Sequence, residues 1–222
     1  VAIGAYGNDG TGVLAGHVRV YEYSNSTWTQ LGSDIDGEEA GDRSGVSVSM
    51  DSAGDRVAIG AYLNDGTGTF AGHVRVYEYS NSSWTQLGSD IDGEAASDFS
   101  GMSVSTNSAG DRVAIGAYGN DGTGSSAGHV RVYGYSDSSW TQIGSDIDGE
   151  DADDQSGRSV SINSAGDWVA IGARLNDGTG ANAGHVRVYS VSTSTFQPQT
   201  TAALQTAVDL WFSDSASAVA AY

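Results

Sequence analysis

The chain is a tandem array. The pentapeptide Val-Ala-Ile-Gly-Ala begins at Val1, Val57, Val113 and Val169, each start 56 residues after the last, and residues 1–56 match 57–112 at 46 of 56 positions without an insertion. A strict period of this length makes each copy one supersecondary unit that sits in the same environment as its neighbours, so the fold must be built by stacking like units. Length alone, 222 residues, would suggest one or two ordinary domains, and the repeat overrides that prior.

One copy reads as four short strands between turns. Gly45 to Met50 alternates Val46, Val48 and Met50 against Gly45, Ser47 and Ser49, a period of two. Arg56 to Tyr62 sets Val57, Ile59 and Ala61 against Ala58, Gly60 and Tyr62, and His73 to Tyr79 sets Val74 and Val76 against His73, Arg75, Tyr77 and Tyr79. Ser83 to Ile91, centred on Trp84-Thr85-Gln86-Leu87, has the polar surround of an outer strand. Asp51 to Asp55, Asn64 to Gly68 and Ser80 to Ser82 supply Gly, Asn and Asp, the residues that tolerate tight turns. The pattern predicts an all-β chain: a partial β-propeller of four-stranded antiparallel blades at 1–42 (partial), 43–98, 99–154 and 155–196. A β-solenoid would need a shorter period, and none runs inside the copy.

Charge and composition exclude several partners. Nine basic residues, all Arg, against 28 acidic ones give a net charge of −19, a field that repels phosphate backbones, so nucleic acid is not an expected partner. No stretch approaches the ~20 apolar residues of a membrane span. The absence of Cys removes disulfides, thiolate metal sites and cysteine nucleophiles.

The run Ser-Gly-Val-Ser-Val-Ser-Met-Asp-Ser-Ala-Gly-Asp-Arg-Val-Ala-Ile-Gly-Ala-Tyr from Ser44 to Tyr62, followed by Ala-Gly-His-Val-Arg-Val-Tyr from Ala71 to Tyr77, resembles the FG-GAP repeat of integrin-α-type β-propellers and, more closely, FG-GAP-like repeats of algal and bacterial surface proteins. The resemblance covers residues 1 to about 196. The family's Phe-Gly stands as Ser44-Gly45, Ser100-Gly101 and Ser156-Gly157, and its Gly-Ala-Pro as Gly60-Ala61-Tyr62 and the equivalents, while Gly72-His73-Val74-Arg75-Val76-Tyr77 keeps the third strand intact. The resemblance implies a calcium loop between the first two strands. Here that hairpin is Asp51-Ser52-Ala53-Gly54-Asp55-Arg56, with Ala at a ligand position and Arg in place of the closing Asp, so it reads as a plain turn.

A second acidic segment remains. Asp34-Ile35-Asp36-Gly37-Glu38 recurs as Asp90, Asp92, Glu94 and as Asp146, Asp148, Glu150. These nine acids are the candidate metal ligands, with calcium as the ion, because several hard oxygens over a tight turn are what calcium takes. The other reading is a solvated connector between blades. His17, His73, His129 and His185 occupy one equivalent position and read as structural, with Arg19, Arg75, Arg131 and Arg187 following on the same face. Trp28, Trp84 and Trp140 read as packing residues between blades. Trp168 and Arg174 break the repeat, and Asn25 and Asn81 begin glycosylation sequons in an expected turn.

After Phe196 the character changes. Ala203, Leu204, Ala207, Val208 and Trp211 form an amphipathic helical stripe, and 197–222 is expected to be a helical tail. It resembles the opening of BspA-like leucine-rich surface domains, which implies a truncated chain whose next domain begins there. The combined expectation is a non-catalytic extracellular or cell-surface binding or adhesion module, recognising a protein or polysaccharide through repeated blade loops. The alternatives are a sialidase-like propeller glycoside hydrolase and an architectural spacer. Near-identical copies weigh against the hydrolase, because a single active site needs asymmetry.

Overall fold

The computed structural model describes residues 1–191, and among these it contains seventeen β-strands and no helix. The helical tail expected at 197–222 lies outside the described residues. The first copy forms β1 (Ala2–Ala5), β2 (His17–Ser24), β3 (Thr27–Gln30) and β4 (Ile35–Asp36). The second forms β5 (Ser47–Met50), β6 (Arg56–Ala61), β7 (His73–Ser80), β8 (Ser83–Gln86) and β9 (Ile91–Asp92). The third forms β10 (Ser103–Thr106), β11 (Arg112–Ala117), β12 (His129–Ser136), β13 (Ser139–Gln142) and β14 (Ile147–Asp148), and the fourth β15 (Ser156–Ile162), β16 (Trp168–Ala173) and β17 (His185–Ser190). Each copy is its own antiparallel sheet, with strands paired in chain order.

The expected fourth strand is two strands. β8 and β9 both pair with β7, through Tyr77 opposite Gln86 and His73 opposite Asp92, and the chain steps out of the ladder between them. Gly88 sits there at φ 77°, a conformation that glycine adopts without strain. The step has a consequence for chemistry, because it holds Asp90 over the start of β7.

Register decides which side chains meet the neighbouring copy. Val57 opposite Tyr77, Ile59 opposite Arg75 and Ala61 opposite His73 share one face of the second sheet, while Ala58 opposite Val76 and Gly60 opposite Val74 share the other. The first face meets the preceding copy: Val57 and Ile59 pack with Val18, Val20 and Ile35. The second meets the following copy, where Ala58, Val74, Val76 and Ile91 pack with Val104, Val113 and Ile115. Ala114, Val130 and Val132 repeat this against Ile162, Val169 and Ile171. An apolar layer therefore lies at each junction between sheets, and the central sheets are covered on both faces.

Polar contacts cross the same junctions. The Trp84 indole donates to the Leu31 carbonyl at 2.8 Å, and Trp140 donates to Leu87 at 2.7 Å, so these tryptophans bind one copy to the one before. The small residues of the motif are required by contact: a Cβ on Gly60 would overlap the carbonyl oxygen of Gly101, whose own φ is 82°. Gly60 thus lets the first strand of the next sheet approach its backbone.

Candidate functional site

The first-hairpin loop is structural. The Asp51 carboxylate is buried, and its Oδ1 accepts hydrogen bonds from the backbone N–H groups of Gly54, Asp55 and Arg56 at 2.9, 3.1 and 3.0 Å. Asn107 accepts from Asp111 and Arg112 in the same way, with an amide oxygen in place of the carboxylate. The acceptor role is shared by Asp and Asn, so the negative charge is dispensable.

The second acidic segment divides. Asp34 and Asp36 converge on His17 of their own copy, whose Nδ1 lies 3.4 Å from Asp34 Oδ2 and 4.0 Å from Asp36 Oδ1. Glu38 instead reaches the next copy: its Oε2 lies 4.0 Å from His73 Nδ1, and Asp90 Oδ2 lies 3.7 Å from the same nitrogen. The arrangement recurs one copy on, with His129 Nδ1 3.9 Å from Glu94 and 3.8 Å from Asp146. Asp92 and Asp148 are ladder residues of β9 and β14, opposite His73 and His129. Glu150 lies 3.7 Å from His185 Nδ1 and pairs with Arg187.

Arginine locks Glu38 in place. Arg75, buried on β7, approaches Glu38 Oε1 at 3.2 Å, donates to the Asp36 carbonyl at 2.9 Å and lies over the Tyr77 ring. One carboxylate oxygen is thereby engaged and the other left facing His73. Burial, reinforced by the nearby Arg75 charge, lowers the His73 pKa to about 4, and burial with the Arg131 charge lowers that of His129. Both rings are therefore neutral at pH 7. At 3.7–4.0 Å their acidic neighbours are beyond hydrogen-bond reach. Neither nitrogen of His73 or His129 has a hydrogen-bond partner among the described residues, although the His73 side chain is only 1% exposed. Each such orphaned buried group costs about 1–3 kcal/mol.

Around this cluster the surface is open and acidic. Glu38, Asn64, Asp65, Asp90 and Asp92 line a groove of about 450 Å³. A counterpart of about 730 Å³ is lined by Glu150, Asp154, Asn176 and Asp177 two copies on. Behind the first groove, buried Asp42 accepts from the Glu39 N–H and from Asn64 Nδ2, both at 3.1 Å, linking the connector to the following copy's loop. The Phe70 N–H donates to the groove residue Asp65 at 2.7 Å, and Phe70 begins an aromatic row in which Phe99 stacks on Tyr118 at 5.1 Å and on Phe70 at 6.2 Å, with Arg158 over Tyr118. Phe70 and Phe99 fall outside the sequence expectations. Their signal is departure from the repeat, with Leu14 and Arg43 at the equivalent positions one period earlier and Ser126 and Gln155 one period later. Trp168 is exposed on β16, and Arg174 donates to Gln155 at 2.8 Å. Asn25 and Asn81 are exposed in two-residue hairpin turns at φ 50°.

No protein-family model and no curated protein matches the chain. Among solved structures, the periplasmic gluconolactonase of Pseudomonas aeruginosa is similar over 85% of this chain and 49% of its own, with a TM-score of 0.52 and 14% identity. A protein from Lactobacillus plantarum is similar over 79% of this chain and 46% of its own, at 0.50 and 16%. The chain spans about half the length of these structures. The likeness is one of fold, and the sheets are blades of a β-propeller type.

Proposed function

We propose that the chain is a non-catalytic binding module of an extracellular or cell-surface protein, of the FG-GAP-like kind, that recognises a polysaccharide or protein partner through its repeated loop edge. The supporting observation is the open acidic groove that recurs at equivalent places along the array, at Glu38 and again at Glu150. Shallow sites of this kind each bind weakly, and a partner that spans two of them gains affinity through effective concentration. The −19 charge makes cationic groups or cation-bridged polyanions the natural ligands. The aromatic row at Phe99 supplies an apolar platform next to the acids, the mixture that polar, ring-shaped ligands use.

The test places the full chain on a glycan array and a surface-protein panel, and assays the same preparation for turnover of lactones and sialosides. Binding that weakens in Phe99→Ala supports the module. Turnover without binding replaces it with the propeller hydrolase, and inertness in every assay replaces it with the architectural spacer.

A further inference from the structure

We propose that Glu38, His73 and Asp90, and equally Glu94, His129 and Asp146, hold a divalent transition-metal cation of the zinc class between successive blades. Each trio offers one imidazole nitrogen and two carboxylate oxygens, all within 4.8 Å of one another. The acids alone would say little, since exposed carboxylates cluster on many surfaces. The observation that points to a ligand is the histidine. His73 is buried to 1% exposure with both ring nitrogens unpartnered among the described residues, and its Nδ1 faces Glu38 and Asp90. His129 repeats this in every respect. A buried polar atom is normally satisfied, and two symmetry-equivalent exceptions aimed at carboxylate pairs call for a partner.

The chemistry selects the ion. Zinc lies ~2.0–2.2 Å from imidazole nitrogen and carboxylate oxygen, so two donors on a tetrahedral ion stand roughly 3.3–3.5 Å apart. The separations of 3.7 to 4.0 Å are slightly wider, and a small shift of Glu38 Oε2 and Asp90 Oδ2 closes them. Arg75 and the Gln86 amide hold only the other oxygen of each carboxylate, and side-chain exposures of 42% and 31% leave a path for the ion and a water in its fourth position. The neutral imidazole is the ligating form. Calcium takes oxygen donors, so the nitrogen turns the preference away from the ion expected from the acids alone.

The other copies set the count. In the first, Arg19 takes both oxygens of Asp34 through Nε and Nη2, at 2.9 and 2.8 Å, so His17 has no free acid pair. In the fourth, Glu150 and His185 have no third acid among the described residues. Two sites result among the described residues.

Chelator-stripped full chain is titrated with zinc in competition with a chromophoric chelator, and then with calcium. The expected result is two tight zinc equivalents and no displacement by equimolar calcium. Glu38→Gln, a change at a half-exposed side chain that leaves the apolar layers intact, should lose one equivalent, and His73→Gln/His129→Gln should lose both. Cobalt in place of zinc should give tetrahedral visible bands that disappear in the double variant. The inference is overturned by the absence of tight zinc, by full zinc uptake in a double variant with a native circular-dichroism spectrum, or by calcium bound as tightly.

Discussion

Ile3 and Ile115 hold the same place in the 56-residue unit, yet Ile3 is 52% exposed and Ile115 1%. The difference is the sheet in front. Ile115 lies against Val74 and Val76 of the preceding copy, whereas among the described residues no sheet stands in front of Ile3. Arginine makes the same point in electrostatics. Arg75 finds Glu38 in the copy before it, and Arg19, with no such partner, folds back on Asp34 of its own copy. That contact, with help from Gln30, holds the Asp34 carboxyl down to about 2. In the interior, Asp90 keeps the glutamine contact, from Gln86 at 2.6 Å, and faces His73 at 3.7 Å with no arginine paired to it among the described residues. One sequence motif thus has two electrostatic states, chosen by whether a neighbour is present.

Four measurements break or sharpen that contrast. The largest effect is expected from Ile115→Ala, at about 2–5 kcal/mol of unfolding free energy in urea. Ile3→Ala should stay within about 0.5 kcal/mol, and equal losses at the two positions would sink the comparison. Next comes Arg75→Gln, which removes a buried cation from Glu38 and should cost about 1.5–3 kcal/mol. Arg19→Gln, at an exposed and solvent-screened pair, should cost clearly less than Arg75→Gln.

Acidification tests the interior histidines. A His73 pKa lowered to about 4 means the unfolded chain binds the proton first. Stability is therefore intact above about 6.5, the ordinary histidine value, and falls as pH drops from there towards the folded pKa. Glu38, Asp42, Asp90 and Arg75 face or surround the ring. The melting temperature of the parent should decline between pH 6.5 and 5, where His73→Gln should decline less; parallel curves would contradict the buried neutral ring. Smallest of all is Asp51→Asn, which copies Asn107 and keeps the acceptor, so its melting temperature should match the parent's with or without calcium.

The sheets were legible because their cause is local. Alternation in Val57-Ala58-Ile59-Gly60 needs only a period of two, and the Asn25-Ser26 and Asn81-Ser82 turns need only residues that accept positive φ. The tryptophans between blades could be read as well, but which acid meets which copy could not. Asp34, Asp36 and Glu38 are close in sequence, which invited a single ligand set. Successive sheets stack so that Glu38 leaves its own copy for the next, and only the register of β7 puts His73 and Arg75 on the face it meets. The interruption between β8 and β9 was hidden because Trp84 to Ile91 has strand-like composition throughout, and the step falls at Gly88, where a Cβ would also strike the Trp140 ring of the following copy. Phe99 carries a side chain at φ 56°, and its stacking partners come from loops far away in sequence.

The tryptophan bridge has a bearing on how such a gene changes length. If residues 57–112 were lost in one piece, Trp140 would face the Leu31 carbonyl and Gly32 in place of Leu87 and Gly88, meeting the same acceptor and the same bare glycine. Unequal crossing-over between copies therefore joins surfaces that already fit, and the array can gain or shed whole units without selection having to invent a new seam.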